Sequence, residues 1–201
     1  MAKVTMNPGT LLSPVPVVLV SCGKGNEANL ITVAWTGTIN SDPPMVYVSV
    51  RKERHSHHII AREREFVINL TTEELMYATD FCGVKSGASV DKFKELKLTR
   101  EPATIVGCPM VGESPVSMEC KVFDVREFPS HDMFLAEIVA VNAREDLMDE
   151  QGRLRLDRAG LICFSHGEYR GLQEQVLGGF GFSVMKPATK KRKLKEARQK
   201  R

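Results

Sequence analysis

Residues 15–51 decide the fold. They read VPVVLVSCGKGNEANLITVAWTGTINSDPPMVYVSVR, in which short runs rich in β-branched residues alternate with turn residues. The runs are Val15–Cys22, Leu30–Thr36 and Met45–Arg51. Gly23 to Asn26 has the composition of a hairpin loop, and Asn40 to Pro44 that of a turn. Runs this closely spaced predict antiparallel strands.

The rest of the chain continues this pattern and adds short helices. Further strands are predicted at Phe66–Leu70, Val116–Val125, Met133–Val141 and Ala159–Phe164, with Ser130–Asp132 as the turn between the second and third. Helices are predicted from Ser56, over Leu75–Phe81 behind a Thr71/Glu74 capping box, and over Val90–Leu96. Six or seven strands with three short helices indicate a mainly β protein, a closed or nearly closed antiparallel barrel with helices at its ends.

Length and charge indicate one domain with a basic tail. The 201 residues, 42% hydrophobic and 26% charged, suit a single globular core and exclude a collagen-like, disulfide-scaffold or wholly disordered chain. Residues 186–201 hold nine Lys/Arg and one acid, whereas residues 1–185 hold nineteen Lys/Arg and twenty-four acids. We therefore expect a domain over 1–185 and a disordered or frayed tail over 186–201. Because the tail lacks interleaved aromatic residues, nucleic-acid binding is not favoured.

The cysteines and histidines give no metal or disulfide pattern. Five widely spaced cysteines without a Cys-x-x-Cys pair predict a reduced, cytoplasmic protein, and no apolar window is long enough to span a membrane. His55, His57 and His58 are close in sequence, but no carboxylate or cysteine lies beside them at ligand spacing. We expect no metal site, and assign these histidines to the first turn of a helix.

The stretch from Ser49 to Ser56 is the strongest candidate for a binding site. A strand ends at Arg51, more cations follow, and a helix begins at Ser56. Guanidinium groups, a hydroxyl and the backbone N–H groups of a helix start could thus meet at one phosphate. A solvated basic loop capped by Ser56 explains the same residues equally well.

A second candidate is the end of the run Asn29–Gly37. Gly37 permits close backbone approach, so a planar ligand could be held there by backbone groups beside Trp35, the only tryptophan. A core tryptophan at the end of a strand is the alternative interpretation.

Eight ordered blocks resemble the flavin reductase family, and more narrowly its flavoredoxin-like members. They are Asn29–Gly37, Pro43–Met45, Ser49–Arg51, Arg54 with Ser56, Phe66–Leu70, Cys82–Gly87 with Asp91–Phe93, Ser130–Asp132 and His166–Tyr169. The resemblance covers about residues 10 to 185. It implies an FMN-binding split β-barrel and a homodimer, with the flavin near the subunit interface.

The resemblance also implies roles for individual residues. His131 would lie close to the flavin ring, and Lys92 would stabilise the negative charge of reduced flavin, although Lys92 could equally be an exposed helix lysine. The implied FMN contacts are Asn29, Trp35, Thr36, Gly37, Ser49, Val50, Arg51, Arg54, Ser56, Asn69, Cys82, Ser86, Gly87, Lys92, Phe164 and Tyr169. Phe164 and Tyr169 would approach from the far strand or from the partner subunit.

The expected function is flavin-dependent electron transfer. Non-covalent FMN would take hydride at N5 from NADH or NADPH and pass electrons to an acceptor, which the sequence does not identify. An electron carrier with little direct NAD(P)H activity also fits the flavoredoxin-like subgroup. An FMN store or redox sensor without turnover is the alternative, because it would share every binding residue.

Overall fold

The computed structural model describes residues 1–173, 176–186 and 189. Its strands are β1 (Val15–Pro16), β2 (Val18–Cys22), β3 (Asn29–Val33), β4 (Thr36–Ser41), β5 (Pro44–Arg51), β6 (Glu65–Leu70), β7 (Arg100–Glu101), β8 (Met110–Val111), β9 (Val116–Glu127), β10 (His131–Ala143), β11 (Ile162–Ser165) and β12 (Glu168–Gly171). Its α-helices are α1 (His55–Glu63), α2 (Met76–Val84) and α3 (Lys92–Glu95). Apart from residues 186 and 189, the predicted tail lies outside the described residues.

Seven strands form the main sheet in the order β3-β2-β6-β9-β10-β5-β4, and every pairing is antiparallel. The sheet curls until its β3 end approaches β5. The short connection from β3 to β4 crosses this gap, and its Trp35 carbonyl accepts from the Ser49 N–H of β5 at 2.9 Å. The result is the mainly β, antiparallel, nearly closed barrel predicted from the sequence, of the split-barrel type.

Alternation along β5 explains how the barrel presents polar groups beside its core. Val46, Val48 and Val50 are buried in the core, which also contains Phe66 and Phe134. Because successive side chains of a strand point to opposite faces, the residues between these valines face away from the core. The outward face of β5 therefore supplies side chains to the cavities described below.

Four strands were missed by the sequence analysis: β4, β12 and the two-residue strands β7 and β8, which pair with each other. The predicted run Leu30–Thr36 is interrupted at Ala34 and Trp35, and a separate strand follows over Thr36–Ser41. That strand lies at the edge of the sheet and is mostly exposed, so it needs no apolar alternation. The second missed strand, β12, pairs with β11, which in turn pairs with β1 in a small three-stranded sheet.

Two local predictions from the sequence were wrong, one for the start of a helix and one for the position of a turn. The Thr71/Glu74 capping box does not form, because α2 begins only at Met76 and the Thr71 hydroxyl donates to the Val17 carbonyl at 2.6 Å. The predicted turn Ser130–Asp132 is also misplaced, since β10 begins at His131. No helix in the described part of the chain is long and apolar enough to cross a membrane.

Candidate functional site

Three adjoining cavities lie where β3, β5, β10 and α1 meet. The strand cavity, about 220 Å³, is lined by the predicted residues Trp35, Ser49, Val50, Arg51, Arg54 and His131. The helix cavity, about 230 Å³, is lined by the predicted residues Arg54, Ser56, Cys82, Ser86, Gly87 and Lys92. The apolar cavity, about 490 Å³, contacts the strand cavity through Ala34, Trp35 and Ser49. Most of the predicted residues are thus brought together.

Positive charge dominates the helix cavity. Arg54, Lys85 and Lys92 line it, and we call these three the cationic cleft. Among the described residues, neither Arg54 nor Lys85 forms an ion pair with a carboxylate. Glu53 is the acid of the lining, and its carboxylate faces Arg51 at 3.4 Å. A cleft with cations that lack internal partners suits an anionic ligand.

The floor of the helix cavity is fixed by a buried contact between β3 and α1. Asn29 Nδ2 donates to Ser56 Oγ at 2.7 Å, and both residues are buried. Gly87 packs so closely on the Asn29 amide that any Cβ at position 87 would overlap it. These residues therefore hold the start of α1 against the barrel and keep the loop after α2 close to it.

Lys92 is buried, which excludes its interpretation as an exposed helix lysine. Its side chain donates to the carbonyls of Leu30 at 2.6 Å and Cys82 at 2.9 Å, and the residue is 3% exposed. Burial lowers the pKa of Lys92, and the charge of Arg54 acts in the same direction. Its ammonium group thus has two neutral acceptors and lines a cavity in which a further acceptor could bind.

Trp35 and His131 form an aromatic wall in the strand cavity. Their ring centroids are 4.6 Å apart, and Trp35 is 43% exposed, so the core-tryptophan interpretation is wrong. His131 is the cross-strand neighbour of Arg51. Burial lowers the pKa of His131, and the positive charge of Arg51 lowers it further. The imidazole is therefore held toward its neutral form beside an exposed aromatic face.

None of the described residues that line the apolar cavity is charged. Thr36 and Tyr47 lie on its β4–β5 side, where the Thr36 hydroxyl donates to the Tyr47 carbonyl at 2.6 Å. Gly37 lies against the Tyr47 ring, which leaves little space for a side chain at that position. A cavity of this size without charge suits an uncharged planar ring.

Five predicted residues line none of these cavities: Asn29 and Gly37, which contact the lining residues Ser56 and Tyr47, and Asn69, Phe164 and Tyr169. The Asn69 side chain is fully buried and bonded to β2 and to the chain around β8 and β9, so it serves the framework rather than a ligand. Phe164 and Tyr169 pack on each other in the small sheet, and the Tyr169 hydroxyl donates to Asp80 at 3.1 Å. They line none of the three cavities in this single chain.

Sequence analysis also missed residues that line the cavities. Lys85 was not assigned a role, although it stands beside Ser86 in one of the quoted blocks and carries the charge that an anion site needs. Tyr47 and Met133 were assigned only to strands. In their strands, Tyr47 and Met133 each stand between two buried residues. This alternation was the available signal that their side chains face away from the core.

The cationic cleft and the apolar cavity on this barrel together suit an anionic molecule with a planar ring. The matched family agrees with this class of ligand. Residues 11–173 match the family model of the flavin reductase like domain, so the chain belongs to that family.

Relatives and solved structures extend this result. An uncharacterised protein of Pyrococcus abyssi is 30% identical over 166 residues, which cover 83% of this chain and 95% of the relative. Flavoredoxin of Desulfovibrio vulgaris (Miyazaki F) is similar with a TM-score of 0.83 at 29% identity, over 90% of this chain and all of that one. Flavoredoxin from Methanosarcina acetivorans is similar with a TM-score of 0.83 at 26% identity, over 92% of this chain and 100% of that one.

Proposed function

We propose that this chain is an FMN-binding oxidoreductase that transfers electrons from NADH or NADPH to an acceptor, either as a flavin reductase or as a flavoredoxin-like carrier. The observation that carries the proposal is the cationic cleft, in which Arg54 and Lys85 have no carboxylate partner among the described residues, joined to an uncharged cavity. FMN combines a phosphate with an uncharged ring system, so its two ends match the two environments.

The phosphate end would be held at the start of α1. Ser49, Arg51 and Arg54 line the strand cavity, and Ser56, in the first turn of α1, lines the helix cavity with Arg54. Guanidinium groups bind phosphate through charge-assisted hydrogen bonds, and the N–H groups of a helix start add to them. Ser86, Gly87 and Lys92 would close the helix cavity from the α2–α3 side.

The ring end would lie against Trp35, Thr36 and Gly37. Trp35 and Ser49 line both the strand cavity and the apolar cavity, so a ligand could extend from one into the other. The exposed Trp35 face would shield one side of the ring from water. Backbone groups at the interruption between β3 and β4 could bind its polar edge.

When bound, FMN supplies the redox chemistry by accepting hydride and releasing electrons. The chain itself would bind the FMN, orient it and tune its electronic properties. The Lys92 ammonium group places a positive charge at the buried side of the cationic cleft, where it would stabilise added negative charge. His131, kept toward its neutral form, could offer a hydrogen bond at the ring without adding charge.

The same proposal includes an assembly and a location. We expect one domain over residues 1–185, a homodimer in which Phe164 and Tyr169 reach the partner's flavin, and residence in the cytoplasm. Family membership supports the single domain and the homodimer. The free cysteines support the cytoplasmic location. The basic tail over residues 186–201 has no assigned role.

The test is an absorbance spectrum of the purified protein, followed on one anaerobic sample by NADH and then NADPH. Flavin bands at about 370 and about 450 nm that bleach with either nucleotide would support the reductase. Bands that persist with both but bleach with dithionite would favour the carrier, or an FMN store. A colourless protein that takes up no added FMN would overturn the proposal.

A further inference from the structure

A buried hydrogen bond joins the start of α1 to the start of β10, outside the three cavities. His57 Nε2 lies 2.8 Å from Asp132 Oδ2, and the two residues are 9% and 7% exposed. Lys52 Nζ lies 3.2 Å from the other carboxylate oxygen of Asp132. Sequence analysis gave His57 only a place in the helix and Asp132 only a place in a turn.

Within the described part of the chain, the charged or titratable groups around this contact are Lys52, Glu127 and His58. His57 packs edge-on against Phe134 and His58, with ring centroids 5.3 and 5.4 Å away. Glu127 lies opposite Asp132 on β9 and pairs with Lys52 at 3.7 Å. Burial would raise the pKa of Asp132, but the hydrogen bond from His57 and the charge of Lys52 hold it below its ordinary value.

Each partner of the bond adjoins a residue of the candidate site. His57 follows Ser56, and Asp132 follows His131. Because neighbouring side chains in a strand point to opposite faces, holding Asp132 toward α1 turns His131 toward Trp35. Holding His57 likewise fixes the first turn of α1, from which Arg54 and Ser56 line the helix cavity.

Stability alone is a poor reason for this arrangement. A buried ion pair or charged hydrogen bond often contributes no more than an apolar pair of similar size, because both groups must leave water. In addition, His57 Nδ1 is buried without a hydrogen-bond partner among the described residues, which is unfavourable. A role in geometry explains why two polar groups would occupy this place.

We propose that His57 and Asp132 are a positioning pair, which holds the phosphate end of the site on α1 and His131 on β10 in one fixed arrangement. Loss of the bond loosens both ends together. The effect on FMN affinity rests on the function proposed above, whereas the effect on His131 does not.

The experiment compares His57→Leu with His57→Gln. The leucine removes the donor at similar volume, whereas the glutamine amide can reach the place of Nε2 and donate to Asp132. His58→Leu is the matched control, because His58 is the adjacent, exposed histidine of the same helix. We expect His57→Leu to weaken FMN binding about tenfold, with His57→Gln and His58→Leu within about twofold of the parent.

The second readout is the titration of His131, followed by its imidazole signals in NMR without any flavin. In His57→Leu the His131 pKa should rise toward its ordinary value, because a loosened β10 start exposes the ring to water. His57→Gln should titrate like the parent. A purely structural role would lower stability without moving this pKa in the folded protein.

The outcomes separate the two proposals. A parent protein that binds no FMN contradicts the proposed function, and the His131 titration still tests the positioning pair. A folded His57→Leu with parental FMN affinity and parental His131 titration overturns the pair. If His57→Leu does not fold, His57→Asn replaces it, since the shorter amide does not reach Asp132. Equal FMN affinity and equal His131 titration in His57→Asn and His57→Gln would then contradict the positioning pair.

Discussion

Two polar regions of this molecule differ in whether their polar groups find partners inside the protein. In the polar framework, formed by Asn69 and Glu119 with their partners, every hydrogen-bonding group is matched inside the protein. Glu119 is fully buried and accepts from the backbone N–H groups of residues 104–106 and from Asn142 at 2.6–3.0 Å. The cationic cleft instead contains Arg54 and Lys85 without carboxylate partners among the described residues. Buried polarity by itself therefore does not mark a site, whereas a cluster of cations that share one cavity and lack carboxylate partners is a candidate for one.

The largest expected effect is on the framework. Glu119→Ala removes the acceptor of three backbone N–H groups, so the free energy of unfolding should fall by about 3–5 kcal/mol. Urea unfolding measures this, with the exposed Glu137→Ala on β10 as the control. FMN affinity of the folded fraction should be unchanged. A loss below about 1 kcal/mol would mean that the loop finds other acceptors.

The next effect is on the cleft, and it should appear in binding rather than in stability. Arg54→Gln removes a charged donor, so FMN affinity should fall about 30-fold, equivalent to about 2 kcal/mol. Arg62→Gln is the matched control, because Arg62 lies on the same helix but is paired with Glu27 and Glu63. Fluorescence titration of FMN measures both variants. Equal affinity of the two variants would contradict a phosphate site at Arg54.

Lys92 connects the two regions, because it is buried like the framework and charged like the cleft. Its pKa lies below 10.5 in the folded chain, and a bound phosphate would favour the charged form. FMN affinity should therefore fall as the pH rises through this lowered pKa, a slope that Lys92→Met should lack. Titrations at several alkaline pH values measure it. An identical slope in the variant would assign the pH dependence to the flavin itself.

The same lowered pKa predicts the direction of a stability change. Between the folded pKa of Lys92 and 10.5 the unfolded chain binds more protons than the folded one. The contribution of Lys92 to the free energy of unfolding without ligand should therefore rise with pH in that window, since the cost of the buried charge disappears. The buried cysteines act in the opposite direction in both proteins, because burial raises their pKa values. Chemical unfolding therefore measures the difference between the parent and Lys92→Met, and a difference that falls with pH would reverse the assignment.

The smallest expected effect is at Lys85. It is exposed at the edge of the helix cavity, so Lys85→Gln should weaken FMN binding only about threefold, and less at high salt. The exposed Lys94→Gln on α3 is the control. A loss as large as that of Arg54→Gln would show that the phosphate lies nearer to the α2–α3 loop than proposed.

Strands with buried apolar residues were predicted from the sequence with small boundary errors, as in β5, β6 and β9. Edge strands such as β4 were missed, because exposed residues there follow no apolar pattern. The helix start at Ser56 was correct within one residue, whereas the capping box at Thr71 failed because its hydroxyl found a partner on another segment, at Val17. Local signals hold where no distant group competes for them.

The candidate site shows the same difference between local sequence signals and contacts made by distant parts of the chain. The sequence by itself predicted the mainly β barrel and marked the stretch from Ser49 to Ser56 as a candidate phosphate site, since both predictions depend on residue order and local chemistry. Only the tertiary structure decided that Lys92 is buried, that Asn69 belongs to the framework, and that His57 meets Asp132. Those outcomes depend on which groups from distant parts of the chain come within hydrogen-bond distance, and burial of that kind leaves no periodic trace in the sequence.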